Sequence, residues 1–199
     1  MALISATTII TSLSLFHITL GYFFLTSPVT VADQSLVFVL GEAMGMPYAR
    51  SFDAQSPALA FLSVILAFIG LSDLASLSMP EEVAMVHHWG LQAPLRLTLS
   101  MILLLYTLLF SASSPLYADS RGGPRGGMFN RPPAHNPGYA PSSWGGDGLK
   151  NRLFFTFIFL EMLSWFWVWV TLREERKEIA TRKANRRRGS HGSNKDSPR

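Results

Sequence analysis

Residues 153–172 read LFFTFIFLEMLSWFWVWVTL, apolar almost without a break, with one glutamate, Glu161, near the centre. A run of this length is what an α-helix needs to cross a bilayer: about 20 residues rising ~1.5 Å each span a hydrocarbon core of ~30 Å. A carboxylate at that depth costs roughly 2.5–3.5 kcal/mol near the midplane, so it needs a partner or a proton. The stretch therefore points to a membrane fold and asks what elsewhere in the chain answers Glu161.

The rest of the chain has the same character. Of 199 residues, 48% are hydrophobic and 15% charged, against about 25% charged in an ordinary soluble domain. Three more stretches are long enough to span, roughly residues 5–26, 57–79 and 90–113, with the fourth at about 151–172. The expected fold is all-α, a bundle of four transmembrane helices. No Lys or Arg precedes the first span, so it lacks the basic start of a secretory signal and is expected to be retained. Pro57 is well placed to open the second. Between these two lies VADQSLVFVLGEAMGMP, whose short apolar core predicts one helix at about 33–46. It lies at the interface or packs on the bundle, with a fifth span or re-entrant segment as the alternative.

Residues 114–149 turn abruptly to Gly and Pro and read as a disordered loop. Their RGGPRGG run has the look of an RNA-binding segment, but one short run inside a membrane loop reads as linker, and no nucleic-acid partner is expected. The chain then leaves the fourth span as LREERKEIATRKANRRR, predicted to continue the helix to about 180 through Glu/Lys and Glu/Arg pairs at i, i+4. Residues 181–199 are expected to be a disordered basic tail. Within it Arg186, Arg187 and Arg188 suggest contact with anionic lipid or an Arg-based retention signal.

The formal charge of +4 is unevenly divided. Residues 173–199 hold ten Lys/Arg against four Asp/Glu, and the preceding chain holds seven against nine. Because Lys and Arg near span ends favour the cytosolic side, the C-terminus is expected there, and an even number of spans returns the N-terminus to the same side. Arg121, Arg125 and Arg131 in the long loop argue the other way, but long loops weigh less. Trp89, Trp165, Trp167 and Trp169 are expected to mark the cytosolic membrane edge, and Tyr22 and Tyr117 the opposite one.

Two other spans carry charge. Asp73 and Arg96 each lie about 11 residues from the middle of the turn joining the second and third spans, which puts them at similar depth in an antiparallel pair. Asp73 thus has a natural partner in Arg96. A forked guanidinium can also reach a second carboxylate, so Glu161 is answered by Arg96 or by a proton. Ala60, Ser63, Ala67 and Gly70 form the kind of small-residue stripe that lets membrane helices approach closely. The Asp73, Arg96, Glu161 cluster reads either as a structural network fixing helix register or as a site for an ion, proton or polar head group.

His17, mid-span, reads as a neutral, hydrogen-bonded core histidine, and Glu42 is one further polar candidate. His87 and His88, with Glu81 and Glu82 nearby, sit in a short surface turn and are not expected to hold metal. The chain has no cysteine, and no phosphate-binding loop, dinucleotide fingerprint or nucleophile elbow is found. No cofactor or enzymatic activity is expected.

VLGEAMGMP, FIGLSDLASL, APLRLTLSMILLLY and FLEMLSWFWVWVTLREERKE, in this order over residues 36–180, resemble the fungal family called increased loss of mitochondrial DNA protein. The resemblance implies a multi-pass protein of the endoplasmic reticulum membrane. It also implies a phenotypic link to mitochondrial genome maintenance and to peroxisomal or fatty-acid physiology, without an established reaction. Within it, the positions of Asp73, Arg96 and Glu161 and the Arg-Glu-Glu-Arg exit look alike. The chain departs from the family in its long Gly/Pro loop and basic tail. The expectation is a non-enzymatic membrane scaffold or homeostasis factor, with a small channel or transporter using the charge cluster as the alternative. Its expected partners are the bilayer, anionic lipid at the tail, and further copies or other proteins in the membrane.

Overall fold

Two serines open the first two long helices in the same way. Ser5 Oγ accepts from the Thr8 amide and Ser56 Oγ from the Leu59 amide, each at 3.2 Å, and Pro57 follows Ser56 as the first helical residue. The computed structural model describes residues 4–80, 83–110 and 145–193. Among them every regular element is helical: α1 (Ala6–Thr26), α2 (Pro28–Ala32), α3 (Ser35–Ala43), α4 (Pro57–Ser76), α5 (Trp89–Leu109) and α6 (Arg152–Ser193). A π-helical turn, Val83–His88, leads into α5, and single 3-10 turns occupy Arg50–Phe52 and Gly145–Leu149.

Four of these helices are long and apolar enough to cross a membrane: α1, α4, α5 with its π-turn, and α6 as far as Arg182. Each buries one face and exposes another that is also apolar. In α4, Leu59, Ser63, Leu66, Gly70, Asp73 and Ser76 turn inward at three- and four-residue spacing, while Phe61 and Phe68 are 69% and 72% exposed. Such a surface is stable against lipid, not water.

The helices pack as two antiparallel pairs, α1 with α4 and α5 with α6, joined where α1 also meets α6. The α1–α4 contact is made by the backbone itself. Ser63 Oγ donates to the Gly21 carbonyl at 2.5 Å, and a methyl group on Gly70 would stand 2.6 Å from the Ser14 carbonyl oxygen. Small residues here substitute for a hydrophobic drive that lipid does not supply. Gly70→Val is expected to cost about 1–3 kcal/mol, read as a lower unfolding midpoint of the purified protein, because backbone cannot rotate aside. Gly148→Ala, which meets nothing within 4 Å, should leave the midpoint unchanged.

The short helix expected at about 33–46 is α3, which packs on α6, and a five-residue helix, α2, precedes it directly after α1. The end of α3 explains the GEAMGMP sequence. Gly45 adopts φ 62°, the Met46 amide returns to the Gly41 carbonyl at 2.8 Å and the Gly45 amide to Glu42 at 3.0 Å. This is a glycine-terminated helix end that leaves few carbonyls orphaned. It turns Met46, 1% exposed, into the core. Beyond it Tyr48 donates to Asp53 at 2.5 Å, and chiefly this hydrogen bond pushes the phenol up to about 12.

At the chain's end α6 runs to Ser193, beyond the break expected near 180. Arg, Lys and Ala, all good helix formers, fill six of residues 181–188. Of the loop expected to be disordered over 114–149, residues 114–144 lie outside the described residues, as do 194–199, and the remainder is instead ordered as the 3-10 turn Gly145–Leu149, closed by the Lys150 amide on the Asp147 carbonyl.

Candidate functional site

The interior of the bundle is crossed by a chain of polar contacts at the level of the spans' charged residues. It begins on α4 and α5. Arg96 Nη1 donates to Asp73 Oδ2 at 2.6 Å and Nη2 to Oδ1 at 2.8 Å, a two-pronged pair with the Asp73 side chain only 5% exposed. Planar, charge-assisted bonds of this kind are the strong ones. Asp73 reaches this position because Ser63, Gly70 and Asp73 share the buried face of α4.

The same guanidinium lies over aromatic rings. Its central carbon is 4.7 Å from the centre of the Trp165 ring and 5.8 Å from that of Trp89, and the two indoles stack at 5.8 Å with 20° between their planes. A cation desolvated against an indole face gains about 2 kcal/mol. Both rings are fully buried. The two residues are therefore core, not markers of the cytosolic membrane edge, which corrects the reading of Trp89 and Trp165. Trp167, at 59% exposure, does face outward.

Trp165 hands the chain on to the glutamate. Its indole Nε1 donates to Glu161 Oε2 at 2.7 Å, and Glu161 Oε1 lies 2.5 Å from His17 Nε2 on α1. The residue that answers Glu161 is thus His17, with Trp165 one turn along the same helix, and not Arg96. Arg96 turns both of its terminal nitrogens to Asp73, and the Trp165 indole lies between it and Glu161, its face under the guanidinium and its Nε1 on the carboxylate. The sequence offered a signal for Trp165: residues four apart on a helix are neighbours, and an indole is a donor only. His17 shares the buried stripe Ile10, Ser14, His17, Gly21.

Two clips flank this layer. Toward α3, Arg152 Nε donates to the Met46 carbonyl at 2.8 Å and Nη2 to Glu42 Oε2 at 2.5 Å, and the side chain crosses the bare backbone of Gly41. Glu42 therefore belongs to this clip and not to the buried layer. At the opposite end Glu175 Oε1 accepts from the Ala6 amide at 2.9 Å, capping α1 with a carboxylate where the helix dipole favours one. Arg176 Nη2 donates to the Val86 carbonyl of the π-turn at 2.7 Å. The start of α1 and the exit of α6 thus share one face of the bundle.

Among the described residues no group of three or more His, Cys, Asp or Glu is placed to hold a metal. Glu81 and Glu82 lie outside the described residues, and so do the side chains of Arg186, Arg187 and Arg188.

These features define a class: a helical membrane protein with four apolar helices, cross-linked through its interior by charges answered within the chain. Compared with family models, residues 4–182 match increased loss of mitochondrial DNA protein 1, and the chain belongs to that family. No curated protein and no solved structure matches it. Family and helices together fit a membrane protein linked to mitochondrial DNA maintenance.

Proposed function

We propose that the protein is a non-enzymatic scaffold or homeostasis factor of the endoplasmic reticulum membrane. In this reading it affects mitochondrial DNA indirectly, through lipid and peroxisome-related physiology. One observation carries the proposal: the four ionisable side chains of the interior layer, His17, Asp73, Arg96 and Glu161, are all engaged with one another or with Trp165. A group spent on helix register is not free to bind cargo. The reticulum and the lipid connection follow from the family resemblance. The cytosolic C-terminus follows from the Lys/Arg excess after the fourth span, and the bond from Ala6 to Glu175 brings the start of α1 to the same face. A single Cys at Ser193 should label from the cytosol, and one at Ser142 only after the lumen is opened. Labelling of both from one side contradicts the four-span topology.

A second reading, a small channel or transporter, is favoured by two buried atoms beside the layer, His17 Nδ1 and Trp89 Nε1, which have no hydrogen-bond partner. Flux of cations or protons through purified protein in liposomes decides between them. The scaffold gives no flux above empty vesicles. A flux that Asp73→Asn abolishes establishes the second reading.

A further inference from the structure

At the end of the bundle opposite the α6 exit, a cleft of about 360 Å³ is lined by Ala32, Asp33, Ser35, Phe38, Tyr48 and Arg152. It forms because α2 stops after five residues and α3 folds back onto α6, which sets the α2–α3 corner against the start of α6. Its volume is at the small end of the roughly 300–1,000 Å³ of ligand sites. The helix beside it, α3, exposes Leu36, Phe38 and Val39. An apolar face on a short helix at a span's end lies in the membrane interface, so the cleft opens at the level of lipid head groups.

The cleft carries both signs of charge, each with bonding capacity to spare. The exposed Asp33 carboxylate and the Ser35 hydroxyl make no hydrogen bond among the described residues. Arg152 turns Nε to the Met46 carbonyl and Nη2 to Glu42, and its Nη1 has no partner among the described residues. Tyr48 donates its proton to Asp53, which leaves the hydroxyl oxygen as an acceptor. The Asp53 hydrogen bond is the main cause of the raised Tyr48 phenol, and the Asp33 charge contributes last, which places Asp33 close by.

A simple anion here would meet Asp33, and a simple cation would meet Arg152. A zwitterion satisfies both. The kind of ammonium follows from the rings. A quaternary ammonium wants enclosing aromatic faces, but the Arg152 guanidinium already lies 5.4 Å from the centre of the Phe38 ring. What remains is a carboxylate and a phenol oxygen, acceptors that suit an ammonium with its own N–H donors.

We infer that the cleft is a head-group site for an ethanolamine phospholipid. The ammonium donates to Asp33 and to the Tyr48 oxygen, and the phosphate accepts from Arg152 Nη1 and the Ser35 hydroxyl. The acyl chains run past Leu36 and Val39 into the leaflet. The site goes beyond the scaffold role and does not depend on it.

The test titrates full-length protein in detergent with dioleoyl phosphatidylethanolamine or dioleoyl phosphatidylcholine and counts bound lipid by native mass spectrometry. The ethanolamine lipid is expected to bind about tenfold more tightly, the worth of one charge-assisted hydrogen bond. Asp33→Asn should remove that preference and leave binding of the choline lipid unchanged. Ser35→Trp, at an exposed position on the cleft, should fill it and weaken both lipids. Wild-type unfolding midpoints in lipid-free detergent show that both variants fold. Glycerophosphoethanolamine, the same head group without chains, should compete only at roughly a hundredfold higher concentration, because it buries no apolar surface. Equal affinity for the two lipids in the wild-type protein overturns the site, as does a preference that survives Asp33→Asn. Competition by glycerophosphoethanolamine at the lipid's own concentration makes the ligand a soluble one and overturns the lipid assignment.

Discussion

Arg96→Leu is expected to destabilise the protein by about 3–5 kcal/mol, as when one partner of a buried ion pair is removed. The cost arises on Asp73, whose side chain is 5% exposed and holds both of its bonds to that guanidinium. Some comes from the indoles, which lose the cation lying 4.7 Å over Trp165. Adding Asp73→Asn should restore part of the loss, since a neutral amide is cheaper to bury than an unpaired carboxylate. Adding Glu161→Gln should restore none. The measurement is a double-mutant cycle on the unfolding midpoint of purified protein in detergent or bicelles. Rescue by Glu161→Gln in place of Asp73→Asn would reassign the pairing.

The second large effect lies at the other end of the same chain of contacts. Glu161→Leu leaves His17 Nε2 and Trp165 Nε1 with no acceptor, both in a dry interior. At about 1–3 kcal/mol for each buried group left unsatisfied, the variant should lose about 2–5 kcal/mol. Glu161→Gln keeps one oxygen and should lose roughly half as much. Trp165 joins the two halves, held by Glu161 at its edge and covered by Arg96 on its face. The Glu161→Leu and Arg96→Leu effects should therefore not add, with a coupling of about 0.5–3 kcal/mol. Strict additivity would mean that the indoles transmit nothing between the pairs.

Hydropathy and charge made much of this legible. The spans follow from long apolar runs, the second opened by Pro57, because a bilayer demands helices of fixed length. The Asp73–Arg96 pair follows from counting residues away from one turn. Glu161 was harder, because depth alone fits several partners: His17 and Arg96 both lie on other spans, and only helix rotation separates them. Rotation is set by Gly21, Ser63, Gly70 and Ser14, where backbone meets backbone, and half of that contact lies on α1, outside the stripe seen in α4. The aromatic-belt rule misplaced Trp89 and Trp165 for a related reason. It describes rings facing lipid, whereas these two shield a cation inside. The Arg152 clip had a sequence signal in the two glycines of GEAMGMP, one admitting the arginine side chain and one ending the helix, but nothing local to residue 152 shows it.

The central claim is that the buried charges serve the arrangement of the helices and are not themselves used. Its most direct test is complementation, in cells lacking the endogenous protein, by Arg96→Leu combined with Asp73→Asn, scored for retention of mitochondrial DNA at matched protein levels. A structural network predicts that this pair, once it folds and reaches the membrane, retains mitochondrial DNA as the wild-type protein does. Normal levels and localisation with mitochondrial DNA still lost would contradict the claim, because the charge itself would then be needed.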